Sequence, residues 1–299
     1  MKKKMTVNPV RPQVTAVCGV TFTQTDGWFG HVRRDLRMDI LYPETPRNPD
    51  AVALRYPGVL WICGGAWLDM DRSAHLAYLA SLARCGFTVA SAEYRTSNLA
   101  PWPAALEDIR AALRWLRRES ARYNLDPSRI GVMGESAGGH LASMAALTAD
   151  PASPDAEPVR AACVWYPPSD FSAFLRADSR TASVSPELLL LGDMPGGTEE
   201  AARQASPVFA VSSGAPPFLI LHGNADTVVP FGQGLALHDA LEQAGADVTL
   251  VEIGDAGHAD LRFFQDSVWE EIAAFFSRAL GGPVPCGKPG GTGKRTVSG

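Results

Sequence analysis

Along residues 32–43, VRRDLRMDILYP, apolar Leu36, Met38, Ile40 and Tyr42 alternate with polar Arg37 and Asp39. A period of two places the apolar set on one face of a strand, and a wet opposite face marks an antiparallel or edge strand. The pattern then changes. GVLWI, GFTVASAEY, RIGVMG, RAACVWY, PPFLILHG and DVTLVEI are short, nearly continuous apolar runs. Such runs predict central strands covered on both faces.

Helical spacing separates them. SAHLAYLASLARCG ends on a glycine stop signal, PAALEDIRAALRWLRRESARY opens on a proline, and AGGHLASMAALTA and GQGLALHDALEQAG come later. A last amphipathic stretch, FFQDSVWEEIAAFFSRALGG, precedes a pair of glycines. Strand and helix alternating this often predict an α/β fold with a mostly parallel sheet and helices on both faces. The expected domain runs over 1–282. Within it, residues 167–206 lack a strand pattern, are rich in Ser, Pro, Gly and Ala, and carry one apolar patch, SPELLLLG; long connections of this kind are often lids or binding loops. The tail 283–299, rich in Gly, Pro and Lys, is expected to be disordered.

Composition narrows the partners. The chain has 299 residues, 46% hydrophobic and 20% charged, and a formal net charge of -5. That balance suits an ordinary globular protein and gives no electrostatic reason to expect nucleic acid. No run approaches the roughly 18 uninterrupted apolar residues of a membrane span. MKKKM has the charge of a secretory leader, but two prolines and no apolar core come after it, so no signal peptide is expected. The five cysteines, Cys18, Cys63, Cys85, Cys163 and Cys286, are scattered and odd in number. They suit a reducing, cytoplasmic setting better than a zinc site or a disulfide scaffold. No feature sets an oligomeric state.

Chemistry concentrates at Gly134-Glu135-Ser136-Ala137-Gly138. This G-x-S-x-G comes after the strand-like RIGVM and opens the helix-like GGHLASMAALTA, the strand-turn-helix setting of a nucleophile elbow. Small residues flank the serine because a sharp turn brings neighbouring backbone close. The N–H of Ala137, at a helix start, points toward the site. A plain strand-to-helix turn is the bland alternative. Such a turn would require neither an acid nor a base downstream.

A serine hydroxyl needs a base, and the base an orienting carboxylate. After PPFLILHG comes NADTVVP with Asp226, and after DVTLVEI comes GDAGHAD with His258. Six histidines compete for the base role. His31 and His75 precede the serine, and His75 is expected on a helix facing solvent or an interface. His140 lies one helical turn after Ser136 and is expected to pack there. His222 is expected to support the Asp226 loop, and His238 falls on a polar helix face. Only His258 lies in a glycine-bounded loop after a strand and a candidate acid. Asp255 and Asp260 sit too near His258 in sequence to reach the far side of its ring without distorting the loop. Upstream, ICGGAW (62–67) leaves a strand in a run that exposes successive N–H groups, the expected oxyanion donors.

These motifs, CGGAW, AEYR, PAALEDIRAALRWL, DPSRIGVMGESAGGHLA, LHGNADTVVP and DAGH, resemble α/β-hydrolase carboxylesterases. More narrowly, they resemble bacterial feruloyl/acetyl esterases and the hormone-sensitive lipase group, with kynurenine formamidases as cousins. The resemblance spans about Leu36 to Leu280. It implies Ser136 as nucleophile, Asp226 as acid, His258 as base, and Gly65, Ala66 and Ala137 as oxyanion donors. The family loop usually reads H-G-G-G-W or H-G-G-x-W; here Cys63 stands where the histidine that props the loop is expected, and Ala66 where glycine is common. Cys63 has no elbow and no evident base, which argues against it as nucleophile. No N-terminal helical cap is expected, so the 167–206 excursion would cover the pocket and Trp67 would line it. The implied activity is hydrolysis of short-chain acyl esters, acetyl or aromatic, of a small-molecule substrate without metal or organic cofactor. An arylformamidase and a non-catalytic ligand-binding member of the fold are the alternatives.

Overall fold

The computed structural model describes residues 3–7, 11–27, 30–45, 54–150, 158–173, 185–192 and 197–282. The tail 283–299 and parts of the 167–206 excursion lie outside the described residues.

Eight strands form one sheet: β1 (Val14–Gly27), β2 (Val32–Pro43), β3 (Tyr56–Ile62), β4 (Thr88–Ala92), β5 (Leu125–Glu135), β6 (Ala162–Trp165), β7 (Phe218–Gly223) and β8 (Val248–Ile253). Their order is β1-β2-β4-β3-β5-β6-β7-β8. β1 and β2 pair antiparallel, as do β2 and β4, and every later pairing is parallel. Parallel neighbours require crossovers. Helices α1 (Leu76–Arg84), α2 (Ala104–Arg118), α3 (Ala137–Leu147) and α7 (Gly232–Gln243) lie in these crossovers, and α8 (Asp266–Leu280) comes after the last strand.

The continuous apolar runs are explained by burial on both faces. In β3, Leu60 and Ile62 join one core with Ile109, Ala112 and Leu116 of α2 and Leu141 of α3. Val59 and Trp61 point the other way, into a second core with Leu79 and Leu82 of α1 and Ile272 and Phe276 of α8. β6 and β7 divide alike: Val164 and Ile220 face the first core, Cys163 and Leu221 the second. Each fully buried side chain of this size contributes about 1.5–3 kcal/mol.

Two strand expectations need correction. β2 is antiparallel to both neighbours, as expected, but it is not the edge, and its second face is wet only in part: Arg37 is exposed while Asp39 and Leu41 are buried. Asp39 is 2% exposed; its carboxylate accepts the Gly19 N–H (2.6 Å) and pairs with Arg72 Nε at 3.0 Å. A buried charge is tolerated there because it is both paired and hydrogen-bonded. β8, read as a central strand, is the last strand of the sheet and leaves Thr249 and Glu252 exposed. An edge strand has a neighbour on one side only, so covering it is not required.

The 167–206 segment shows no strand among its described residues. It forms α4 (Pro186–Leu191) and α5 (Gly197–Ala205), with the short α6 (Pro207–Ala210) directly after them. The SPELLLLG patch is α4: the Ser185 side chain accepts the Leu188 N–H as its cap, and Leu190 and Leu191 are buried. The Leu190 carbonyl accepts the Trp102 N–H at 2.7 Å, which fastens α4 near the start of α2. No described helix is long and apolar enough to cross a membrane.

Candidate active site

β5 ends at Glu135 and α3 begins at Ala137, so Ser136 alone makes the turn, at φ 51° and ψ -121°. A non-glycine residue at positive φ is strained by about 1–3 kcal/mol and persists only where its surroundings hold it. They do: the Ser136 N–H donates to the Trp165 carbonyl (2.9 Å), and its carbonyl accepts the His140 N–H (2.9 Å). Close backbone approach explains the glycines. A Cβ on Gly138 would lie 2.0 Å from the Ile62 carbonyl oxygen, and one on Gly134 would lie 2.3 Å from that of Gly138.

The expected base arrives from the far end of the chain. His258 lies after β8, in a loop tied to the one after β7: the Asp255 N–H donates to Asn224 Oδ1 (2.8 Å) and the Ala225 N–H to the Ala256 carbonyl (3.0 Å). Its Nε2 is 3.0 Å from Ser136 Oγ, and its Nδ1 is 2.7 Å from Asp226 Oδ2. The N–H groups of Val228 and Val229 both donate to the other oxygen, Asp226 Oδ1, at 2.9 Å. Burial would raise the Asp226 carboxyl, but the His258 ring and these two amides outweigh it and hold it below its ordinary value. Asp260 is engaged elsewhere, its side chain capping the 3-10 turn Leu261–Phe264, and Asp255 is exposed.

Three of the other histidines have structural partners in or near the site. His222 Nε2 meets the Val229 carbonyl at 2.9 Å and lies 3.7 Å from Asp226, supporting that loop as expected. His140 is packed as expected, fully buried, its Nε2 on the Ala205 carbonyl (2.7 Å) and its Nδ1 accepting from the Trp67 indole (3.2 Å). Burial lowers it to about 4, so it is neutral at pH 7. His75 departs from expectation. Instead of facing solvent or an interface, it packs on Trp61 and Phe264, and its Nε2 is 2.8 Å from Glu135 Oε1.

The loop after β3 lies against the serine: a Cβ on Gly64 would come within 3.3 Å of Ser136 Cβ. Gly65, Ala66 and Trp67 take φ values of 119°, 53° and 57°, so the chain turns sharply where the oxyanion donors are expected. The Gly65 carbonyl closes the turn by accepting the N–H groups of Leu68 (3.0 Å) and Asp69 (3.1 Å). Ala137, in the first turn of α3, has an N–H without an acceptor inside the helix. Trp67, expected to line the pocket, turns inward. It is 2% exposed, packed on His140 and Phe171, because its indole N–H finds its acceptor inward, on His140.

Where the resemblance expected a propping histidine, the Tyr94 hydroxyl donates to the Cys63 carbonyl (3.0 Å) and the Cys63 thiol lies 3.8 Å from Glu135 Oε1. Burial, with Glu135 beside it, pushes that thiol up to about 12, so it stays protonated and is no nucleophile. Two further side chains at the site carry no sequence signal of their own. Glu135 occupies the variable place of the pentapeptide, and Tyr166, at φ 36°, places its ring 4.4 Å from that of His258 and donates its hydroxyl to Glu135 Oε2 (2.7 Å).

Residues 38–241, over two thirds of the chain, match the BD-FAE family. The chain belongs to that family. Among its relatives, esterase LipQ of Mycobacterium tuberculosis is 34% identical over 79% of this chain and 59% of its own length. The probable carboxylic ester hydrolase LipM of the same organism is 33% identical over 71% and 52%. The chain thus spans little more than half the length of these curated relatives. A truncated carbohydrate esterase from gut microbiota superposes with a TM-score of 0.75 at 28% identity, covering 89% of this chain and 96% of that one. A thermophilic esterase of Thermogutta terrifontis, propionate-bound, gives 0.69 at 26% identity over 92% and 97%. The fold is that of the α/β-hydrolase esterases.

Proposed function

We propose that this member of the BD-FAE family is a serine carboxylesterase working through an acyl-enzyme. The observation that carries the reading is the hydrogen-bonded chain Ser136–His258–Asp226, at 3.0 and 2.7 Å, hung from a strained elbow. Ser136 Oγ attacks the ester carbonyl carbon while His258 Nε2 takes its proton; Asp226 holds Nδ1–H and stabilises the imidazolium. The N–H groups of Gly65, Ala66 and Ala137 bind the oxyanion, each worth about 2.7–4 kcal/mol. His258 then protonates the departing alcohol, and a water deprotonated by His258 releases the acid and frees Ser136.

Short acyl groups, acetyl or aromatic, are the proposed substrates. The supporting likenesses are to an esterase whose structures hold propionate and butyrate and to a carbohydrate esterase. The deciding measurement is a series of p-nitrophenyl esters from acetyl to octanoyl, with acetylated and feruloylated sugars. Turnover is expected to peak at short chains, and Ser136→Ala is expected to lose about 10⁴-fold or more in kcat. Formylkynurenine preferred over p-nitrophenyl acetate would point to a formamidase instead. Wild type inert to esters, the formamide and a fluorophosphonate would leave a binding protein.

A further inference from the structure

The carboxylate next to Ser136 has no part in the proton relay, yet it is the best-connected side chain at the site. Glu135 is 8% exposed. Its Oε1 receives His75 Nε2 at 2.8 Å, with the Gly64 N–H at a longer 3.5 Å and the Cys63 thiol at 3.8 Å. Its Oε2 receives the Tyr166 hydroxyl at 2.7 Å. Each oxygen faces a different half of the machinery. Oε1 faces the loop expected to hold the oxyanion donors, and Oε2 faces the ring that packs on His258.

Packing reinforces the hydrogen bonds. A Cβ on Gly64 would stand 3.2 Å from Glu135 Cγ and 3.1 Å from its carbonyl oxygen, so the loop rests directly on this residue. Tyr166 is held at φ 36° with its N–H on the Leu221 carbonyl (2.8 Å), which leaves its ring little freedom against His258. Desolvation opposes a buried carboxylate, yet the bond and charge of His75 and the bond from Tyr166 outweigh it and keep Glu135 below its ordinary value, hence ionised. His75, at the start of α1, thus supplies from the next element the imidazole that position 63 lacks.

We propose that Glu135 is a positioning residue that sets the oxyanion loop and the His258 imidazole in register with each other, through Gly64 on one side and Tyr166 on the other. The inference rests on the esterase reading of the site. A register error of about 1 Å between donors and base costs on the order of 10²-fold in rate, and the error falls on the transition state more than on substrate binding.

The test compares wild type, Glu135→Gln, Tyr166→Phe and His75→Gln with p-nitrophenyl acetate, and measures inhibition by a trifluoromethyl ketone, whose adduct with Ser136 carries an oxyanion. In folded Glu135→Gln, kcat is expected to fall about 100-fold with KM within about threefold. Ketone affinity should weaken in step with kcat/KM. Tyr166→Phe and His75→Gln each remove one arm and should lose about tenfold in kcat, which keeps the inference testable should Glu135→Gln not fold. Wild-type kcat in folded Glu135→Gln overturns it, as does wild-type kcat in both single-arm variants, or a loss borne by KM with ketone affinity intact. Wild type that neither turns over the ester nor labels with a fluorophosphonate at Ser136 sinks the esterase reading itself.

Discussion

Ser136, His258 and Asp226 come together across 122 and 32 residues of sequence, and this meeting was legible because elbow, acid and base recur in a fixed chain order. Glu135 was not. Its partners His75, Gly64 and Tyr166 lie 60, 71 and 31 residues away, and nothing in the spacing of a variable pentapeptide position announces them. The inward bond of Trp67 was illegible for a related reason: an aromatic beside a glycine turn reads as a wall until its indole is seen to donate to His140. At this scale the buried His140 also carries a pH signature. Its folded pKa, near 4, is below the ordinary 6.5, so as pH falls below about 6.5 the unfolded chain gains a proton that the folded one refuses. Stability is therefore full above that value and declines toward pH 4, by roughly 3 kcal/mol at most. Melting temperature measured from pH 7 to 4.5 should drop less in His140→Gln, which keeps an acceptor for Trp67 and a donor for Ala205.

At the scale of elements, the turn between β5 and α3 is fixed by contact of backbone with backbone. Gly138 touches the end of β3 so closely that a methyl there meets the Ile62 and Cys63 carbonyls at 2.0 and 2.7 Å. Neither can yield without moving the loop after β3. Gly138→Ala should consequently unfold the protein or lower its stability by about 3 kcal/mol or more, read by urea titration, with activity lost even where folding survives. A melting curve like wild type would contradict that close approach. Periodicity identified the inner strands because continuous apolar runs mean cover on two faces. It misplaced β8 because VTLVEI reads as a buried run, although only one side of the strand has a neighbour.

For the whole molecule, alternating strand and helix patterns announced one layered sheet, and the two cores on its faces bear that out. The order of strands was beyond reach of the pattern: β4 lies between β2 and β3, so the chain reverses its direction of winding there, and no local period encodes the reversal. Nor did composition indicate that Asp39 would be buried, since Arg72, its partner, comes from a separate loop.

Because the sheet ends at β8, the proposed base hangs from an edge strand with a single neighbour, while the proposed nucleophile leaves one of the most enclosed. Fraying costs least at such a margin. Catalytic competence should then vanish before the scaffold does: in graded urea, ester turnover is expected to collapse at a lower concentration than the far-ultraviolet circular dichroism, with coincident transitions as the contrary result. The protein would in that case report mild stress by falling silent while still folded, an interruption that reannealing of a single border strand reverses.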